Sequence, residues 1–186
     1  DSRPASGISA VDYAANFSAF LRNQRADQPF CFWFGASEPH APWEEGSGLR
    51  AGRRLEAVDV PPNFEKDTPK VRSWLLDYYL ELEWFDQQLG QILKILENSG
   101  ELDNTLIVVT GDNGSPMARA KNDVYDLGTH VPLMARWQGK IKPGRVVEDL
   151  VGFVDLGPTF LDITSLKPPV EMAGRSLRNI LLSEKH

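Results

Sequence analysis

Apolar residues fall into two kinds of pattern along the chain, short continuous runs and longer stretches with helical spacing. Continuous runs closed by turn residues predict buried strands, and they occur at Phe30–Gly35, Leu106–Val109 and Val131–Trp137. Spacings of three and four residues predict amphipathic helices, and they occur at Ile8–Arg25, Pro69–Asn98, Val151–Leu166 and, more weakly, Leu177–Leu182. Because strands and helices alternate, the pattern predicts an α/β fold with helices packed on a sheet.

The longest helical segment carries its own start and stop signals. Thr68 is a good capping residue, Pro69 suits a first turn, and Gly100 suits a left-handed stop. Its apolar positions alternate spacings of four and three residues: Val71, Leu75, Tyr78, Leu82, Phe85, Leu89, Ile92 and Leu96. The pattern predicts one helix about 45 Å long at 1.5 Å per residue. It should lie on a sheet, because strands flank it in the sequence; a coiled coil is the other arrangement that fits.

A polar turn follows the Leu106–Val109 strand. Asp112 and Asn113 offer side-chain oxygens, which are the ligands that Ca²⁺ prefers. Gly111 and Gly114 would let the backbone bend there, and α/β sheets bind ligands at the carboxyl ends of their strands. The same Asp-Asn-Gly sequence is also ordinary turn chemistry, so these residues alone leave both interpretations open.

A histidine between two prolines follows the first predicted strand. Pro39 and Pro42 restrict the backbone around His40, which lowers the entropic cost of holding its imidazole in place for proton transfer or anion contact. A single histidine in a loop is more often a solvated side chain. Cys31, within the strand, has no neighbouring base in the sequence and is interpreted as a small core residue, not a nucleophile.

The remaining segments and the composition limit which folds and functions are possible. Residues Glu44–Lys70 are rich in Gly, Pro and charge and predict a long surface loop, and residues 167–186 form a carboxyl tail. The net charge of −6 argues against a general nucleic-acid or anionic-membrane binder. No apolar run has the length of a membrane helix. The first residues do not form a signal peptide, and we expect that sequence preceding them is absent.

Four segments, taken in order, resemble the carboxyl-side part of the catalytic domain of type I, formylglycine-dependent sulfatases. They are Pro39-His40-Ala41-Pro42; Leu102–Thr105 running through Asp112-Asn113-Gly114; Lys121 with Tyr125-Asp126 and Gly128–Pro132; and Arg136–Gly144. The segment Phe153–Thr159 also fits, as a structural element. The resemblance covers most of the chain and implies the fold of the alkaline phosphatase superfamily, a mixed sheet flanked by helices. Residues 1–186 would be a partial, incomplete catalytic domain that lacks its amino-side half.

The resemblance also implies roles for four side chains. Asp112 and Asn113 would be two ligands of a Ca²⁺ ion. Lys121 would bind a sulfate oxygen and contact the nucleophile, and His40 would hydrogen-bond the scissile oxygen and protonate the leaving group. His40 and Lys121 would thus be both catalytic and substrate-binding, in an enzyme that hydrolyses sulfate esters of a sugar or an aryl compound. A metal, an ammonium and an imidazole are the groups that stabilise charge in such a reaction.

The sequence departs from the family pattern at the nucleophile. No Cys/Ser-x-Pro/Ala-x-Arg motif, the source of formylglycine, is present, and the paired acidic metal ligands of the family's first strand are absent. These groups are expected upstream of Asp1. The chain alone should therefore bind Ca²⁺ poorly and not turn over. Association with a second copy or with the missing half is expected, because a truncated sheet leaves edges and apolar surface uncovered.

Two other functions remain open. One is a phosphodiesterase or phosphonate hydrolase of the same superfamily; Asn113 argues against it, because relatives that use Zn²⁺ or Mn²⁺ tend to have histidine there and imidazole suits those metals. The other is a non-catalytic fragment or pseudoenzyme that only binds a ligand or partner. The resemblance implies a periplasmic, secreted or lysosomal protein, and it does not identify the sulfated substrate.

Overall fold

The structure, a computed structural model, describes residues 3–25, 27–61 and 65–184, which group into two compact units. The first unit, Asp1–Glu101 with Gly111–Val131, contains the helices α1 (Tyr13–Arg22), α2 (Ser47–Arg50), α3 (Pro69–Ser99) and α4 (Asp126–Thr129). The second unit, Leu102–Thr110 with Pro132–His186, contains the strands β1 (Ile107–Thr110) and β2 (Leu133–Arg136) and the helices α5 (Leu156–Ile163) and α6 (Arg178–Leu182). Short 3-10 turns lie at Leu55–Ala57, Leu102–Asn104 and Phe153–Asp155.

The long helix α3 confirms the prediction for Pro69–Asn98 to within one residue. The Thr68 hydroxyl accepts a hydrogen bond from the Val71 amide at 3.2 Å, and Gly100 ends the helix with a φ of 78°. Both ends are therefore fixed by local chemistry: a side-chain cap for a free amide at the start and a left-handed glycine at the end.

One face of α3 buries polar side chains that hold neighbouring segments. The Asp77 carboxylate accepts hydrogen bonds from the Gly46 and Gly48 amides at 2.9 and 2.8 Å, which satisfies free amides at the start of α2. The Gln88 side chain accepts from the Ala14 amide of α1 at 3.3 Å. Glu81, between them, is only 2% exposed. These buried polar residues attach α1 and α2 to α3 through directional bonds as well as apolar contact.

Among the described residues, two apolar clusters lie in the core of the first unit. One joins Val58, Leu75, Leu76 and Met117, with Trp43 and Tyr78 among the residues packed around it. The other joins Ala5, Ile8 and Leu80, with Trp84 beside them. The first cluster brings residues from near His40 and from the segment after Asp112 onto the same helix, so it contributes directly to the position of the candidate site.

The sheet is smaller than predicted. In the described residues, β1 and β2 form a two-stranded antiparallel sheet, with Ile107 opposite Arg136 and Thr110 opposite Leu133. Of the predicted mixed sheet flanked by helices, the described residues contain only this antiparallel pair, and both strands lie where predicted. The prediction that β1 is buried on both faces is wrong, since its residues are only partly buried. A strand is buried on both faces only when further layers cover it.

The run Phe30–Gly35 is not a strand in the structure. Its local sequence favours extended backbone, but a strand exists only by pairing, and none of the described residues pairs with it. This too corrects the expected sheet.

The other helices differ from the predictions mainly at their ends. Helix α1 begins later than predicted because the Asp12 side chain caps it, accepting from the Ala15 amide at 2.8 Å. The predicted Val151–Leu166 helix is a 3-10 turn followed by α5, and the weak carboxyl-terminal helix corresponds to α6. The Glu44–Lys70 loop contains α2 and one 3-10 turn. Residues 62–64 of that loop, 185–186 of the tail and the first two residues of the chain lie outside the described residues.

No helix in the described ranges has both the length and the apolar character needed to cross a membrane.

Candidate active site

The loop that carries His40 is held by a buried hydrogen-bond network. The Tyr13 hydroxyl accepts from the Ser37 amide at 3.0 Å and donates to the Glu38 carboxylate at 3.0 Å. Glu38 also accepts from the Ser9 amide at 2.6 Å. Because Glu38 is buried and both of its oxygens are hydrogen-bonded, the backbone two residues before His40 has little freedom.

The same loop is fixed on its other side by Trp43. The Trp43 indole donates to the Pro39 carbonyl at 2.9 Å, and its ring packs against Trp74 at a centroid distance of 5.1 Å. The His40 amide donates to the Ser37 carbonyl at 2.9 Å, which closes a turn. Anchors on both sides therefore position an exposed imidazole on rigid backbone.

The imidazole of His40 contacts the Lys121 ammonium. His40 Nε2 lies 3.1 Å from Lys121 Nζ, and His40 Nδ1 lies 2.6 Å from the Ala41 carbonyl oxygen. A carbonyl can only accept and an ammonium can only donate. The contacts therefore fit the tautomer with the ring proton on Nδ1, in which Nε2 accepts from the Lys121 ammonium. Residues 81 positions apart in the sequence meet here.

Lys121 is positioned by backbone and core contacts. Its amide donates to the Ser115 carbonyl at 2.9 Å, and the preceding residue, Ala120, is 1% exposed. The Ala120 amide donates to the carbonyl of Met117, which is part of the apolar cluster on α3. The partly buried lysine therefore extends from a segment that is fixed on both sides.

Two glycines allow the Asp112-Asn113 turn to pack against the segment that carries Lys121. A Cβ atom at Gly114 would collide with the Leu127 carbonyl oxygen and lie 2.9 Å from Gly128 Cα. A Cβ atom at Gly128 would collide with the carbonyl oxygens of Asp123 and Ala120. Because each neighbour is backbone, neither position can accommodate a side chain without a backbone shift. The polar turn and the Lys121 segment are thus in direct backbone contact.

The two predicted metal ligands lie exposed on this turn. The Asn113 amide nitrogen donates to the Gly114 carbonyl at 2.9 Å, which leaves its side-chain oxygen available as an acceptor. The Asp112 carboxylate makes no hydrogen bond or ion pair within the described part of the chain. The structure therefore brings the side chains of His40 and Lys121 into contact. The Asp112-Asn113 turn contacts the segment that carries Lys121 through backbone atoms. Among the described residues, the side chains of Asp112 and Asn113 do not contact those of His40 and Lys121.

The side-chain oxygens of Asp112 and Asn113 are of the type that Ca²⁺ binds, but they are too few to complete its coordination. A carboxylate and an amide oxygen are hard ligands of the type that Ca²⁺ prefers, but Ca²⁺ takes about 6 to 8 oxygens. No group of three or more His, Cys, Asp or Glu side chains suited to a metal occurs among residues 3–25, 27–61 and 65–184. Asp112 and Asn113 could thus hold one side of a Ca²⁺ ion.

Sequence reasoning missed three residues near this site. Glu38 could have been noticed from its place two residues before His40. Glu81, in the interior of a helix, gave no signal; burial, followed by the nearby Glu38 charge, raises its pKa to about 7. Arg119 was not singled out, and its guanidinium lies 5.1 Å from the centre of the Tyr125 ring, a cation–π contact two residues before Lys121.

Comparison with known proteins gives a consistent set of relatives. The model of the sulfatase family matches residues 3–166. The ulvan-active sulfatase of Formosa agariphila is 28% identical over 91% of this chain and 34% of its own length. A solved structure from glycosaminoglycan metabolism in Bacteroides thetaiotaomicron is 26% identical, with a TM-score of 0.78 over 93% of this chain and 39% of that one.

Two further solved structures resemble parts of the chain. One is a protein in complex with its substrate D-glucosamine-2-N,6-O-disulfate, 33% identical over 62% of this chain and 24% of its own, with a TM-score of 0.57. The other is a phosphonate monoester hydrolase from Silicibacter pomeroyi, 30% identical over 75% of this chain and 28% of its own, also with a TM-score of 0.57.

Between 90% and 93% of this chain matches the ulvan-active sulfatase, an endo-4-O-sulfatase of Bacteroides thetaiotaomicron and the glycosaminoglycan-related structure, but only 34–39% of each relative is covered. The fold similarity therefore extends over a part of the sulfatase fold. Since the family model covers 3–166 of 186 residues, the chain belongs to the sulfatase family.

Proposed function

We propose that this chain carries the leaving-group and sulfate-binding side of a sulfuric ester hydrolase that acts on sulfated carbohydrates. The observation that carries the proposal is the 3.1 Å contact between Lys121 Nζ and His40 Nε2. This contact places a fixed cation beside a proton-transfer group. Cleavage of a sulfate ester requires both groups in addition to a nucleophile. Relatives named for ulvan and glycosaminoglycan substrates support carbohydrate as the substrate class.

Lys121 supplies a compact positive charge for a sulfate oxygen. Its ammonium carries three donors, of which one is directed to His40. The other two can bind sulfate oxygens without breaking that contact. The backbone of the segment is already ordered, so little entropy is lost when the anion binds.

His40 holds the proton for the leaving oxygen. Its Nδ1–H is fixed on the Ala41 carbonyl, so Nε2 is the nitrogen that exchanges protons. A proton that Nε2 takes up from solvent can pass to the oxygen that departs when the S–O bond breaks, which leaves the imidazole neutral and Lys121 still charged. The anchored loop holds the imidazole in one orientation while this occurs.

Asp112 and Asn113 would hold one side of a Ca²⁺ ion, which when bound supplies positive charge for the sulfate oxygens. The formylglycine nucleophile of the family would have to come from polypeptide outside this chain. We therefore propose that residues 1–186 bind the sulfate group without turning it over.

A titration followed by NMR tests the binding step. The probe is D-glucosamine-2-N,6-O-disulfate, with unsulfated glucosamine as the ligand control, and the readout is the His40 imidazole ¹⁵N signals. We expect His40 Nε2 to shift with the sulfated sugar alone. Lys121→Ala should weaken binding by roughly 10- to 100-fold, the range for a charge-assisted hydrogen bond of about 1.5–3 kcal/mol.

Lys94→Ala is the matched control, because Lys94 is an exposed lysine on α3. It should bind the sugar as the unmodified chain does. The proposal is wrong if His40 does not respond to the sulfated sugar, or if Lys121→Ala binds it as well as Lys94→Ala does.

Hydrolysis of a phosphonate or phosphate ester is the second candidate, and the similarity to a phosphonate monoester hydrolase favours it. Asn113 favours the sulfatase, because an amide oxygen suits Ca²⁺ better than it suits Zn²⁺ or Mn²⁺. The same titration with phenyl phosphonate separates the two candidate functions. If the chain binds the phosphonate more tightly than the sulfated sugar, ester hydrolysis of a phosphonate or phosphate becomes the preferred function.

A further inference from the structure

Arg119 differs from the other arginines of the chain in what its guanidinium contacts. The chain has twelve arginines, and the other eleven each make a hydrogen bond or an ion pair to an oxygen within the described ranges. In those ranges the Arg119 guanidinium makes neither, and its contact is with the Tyr125 ring. Acidic partners are not scarce, since the net charge is −6. All five N–H donors of Arg119 are therefore available to a group from outside the chain.

Tyr125 holds the guanidinium without using these donors. The central carbon of the guanidinium lies 5.1 Å from the centre of the Tyr125 ring, and both residues are exposed. A cation over an aromatic face is attracted by the charge distribution of the ring, which requires no hydrogen bond. The arginine is thus ordered with its donors free, and this lowers the entropic cost of binding an anion.

The backbone is in an unusual conformation on both sides of Lys121. Arg119 and Asn122 each have a φ of 64°, in the left-handed region that arginine seldom adopts. Glycine would adopt this conformation at position 119 without strain. Residues held in such conformations cluster at functional sites, where the surrounding structure imposes them. The strain at Arg119 therefore points to a function for its side chain.

Arg119 and Lys121 are close enough to contact one sugar molecule. They are two positions apart, so their Cα atoms are at most about 7 Å apart. The residue between them, Ala120, is 1% exposed, which fixes the segment against the core. If Lys121 binds one sulfate group of a sugar, a second anionic group on that sugar lies within reach of Arg119.

We propose that Arg119 is a specificity-determining residue that binds a second oxyanion, a sulfate or a carboxylate, on the sugar whose sulfate group Lys121 binds. The inference rests on the proposed function, because it takes Lys121 as the sulfate ligand. A planar guanidinium can donate two parallel hydrogen bonds to such a group. A sugar with a single sulfate group leaves Arg119 without a partner.

Calorimetric titration of the chain with three sugars tests this role. D-glucosamine-2-N,6-O-disulfate carries a second sulfate, D-glucuronic acid 2-O-sulfate carries a carboxylate, and N-acetyl-D-glucosamine-6-O-sulfate carries one sulfate group alone. Arg119→Ala should weaken binding of at least one of the two dianionic sugars about tenfold, as expected for a charge-assisted hydrogen bond near the surface. The Kd of the monosulfated sugar should change by less than about twofold. The larger loss identifies the second group as a sulfate or a carboxylate.

Three further variants show whether the loss is specific to the Arg119 side chain. Lys121→Ala should weaken binding of all three sugars. Arg25→Ala is the matched control, since Arg25 is an exposed arginine paired with Asp27, and it should leave all three Kd values unchanged. Arg119→Gly should lose the same binding as Arg119→Ala without a lower midpoint in chemical denaturation, because glycine suits a φ of 64°.

The inference is wrong if Arg119→Ala and Arg119→Gly bind both dianionic sugars as the unmodified chain does, or if they weaken binding of the monosulfated sugar equally. It is also wrong if Arg25→Ala causes the same loss, because removal of any positive charge would then suffice. If no sulfated sugar binds the unmodified chain, the proposed function itself fails, and this inference fails with it.

Discussion

Replacing Glu81 by glutamine should stabilise the first unit strongly at pH 8 and only weakly at pH 5. Glu81 is 2% exposed, and its Oε1 has no hydrogen-bond partner. Burial, and then the nearby charge of Glu38, raises its pKa from 4.5 to about 7. Ionised Glu81 is therefore unfavourable in the folded state, whereas glutamine has the shape of the neutral acid and carries no charge.

The direction of the pH dependence follows from the two pKa values. The unfolded carboxyl loses its proton near pH 4.5, and the folded one near pH 7, so between them the folded state binds more protons. The stability that Glu81 contributes is present below pH 4.5 and is lost as the pH rises through 7. At about 1.4 kcal/mol per pKa unit, the loss is about 3 kcal/mol.

Hydrogen exchange of the α3 amides at pH 5, 6.5 and 8 measures the free energy of opening of the helix that carries Glu81. The quantity of interest is the difference between Glu81→Gln and the unmodified chain, because groups common to both cancel. We expect a difference of about 1 kcal/mol at pH 5 that grows to about 3 kcal/mol at pH 8.

Glu97→Gln is the matched control, since Glu97 is an exposed glutamate on the same helix. Its difference from the unmodified chain should not vary with pH. The reasoning is refuted if Glu81→Gln and the unmodified chain have the same stability at pH 8, or if their stabilities fall in parallel between pH 5 and pH 8.

Three further predictions concern the site and its support. Gly114→Ala should destabilise the first unit by about 1–3 kcal/mol in chemical denaturation, because its Cβ would collide with backbone at Leu127; an unchanged midpoint would contradict this. Tyr13→Phe should cost about 1–3 kcal/mol in the same assay, because the Ser37 amide and Glu38 lose a buried partner; equal stability would show that the hydroxyl contributes nothing. Calorimetric titration of the chain with Ca²⁺ should give a Kd weaker than the micromolar range, since the side chains of Asp112 and its neighbour supply at most three of the roughly six to eight oxygens that Ca²⁺ takes; micromolar affinity would show that the ligand set is more complete.

Local signals explain why the long helix could be predicted and part of its buried face could not. A capping threonine, a first-turn proline and a terminal glycine set the limits of α3 from adjacent residues alone. The apolar period correctly included Leu75, Ile92 and Leu96. It could not indicate that Glu81 and Gln88 are buried, because their burial depends on chain that packs on the helix from far away in the sequence.

Strands depend on distant partners, so the sheet was the weakest part of the sequence-based prediction. The β1 and β2 runs were placed correctly, and they pair with each other. Phe30–Gly35 has a more apolar sequence than either and is not a strand, because its composition sets extended backbone and side-chain alternation but cannot supply a neighbour. Pairing is a property of two segments, and none of the described residues pairs with this one.

The candidate site shows the same division between local and distant information. The chemical type of each side chain, and the stiffness of the backbone around His40, could be read from adjacent residues. The contact between His40 and Lys121 could not follow from spacing, because 81 residues separate them; the family resemblance alone suggested it. The structure adds a physical cause for it. Met117, beside the Lys121 segment, packs in the same apolar cluster as Trp43, which anchors the His40 loop, and both contact α3. The helix with the strongest local signals is thus the scaffold that brings together the two segments whose meeting no local signal predicts.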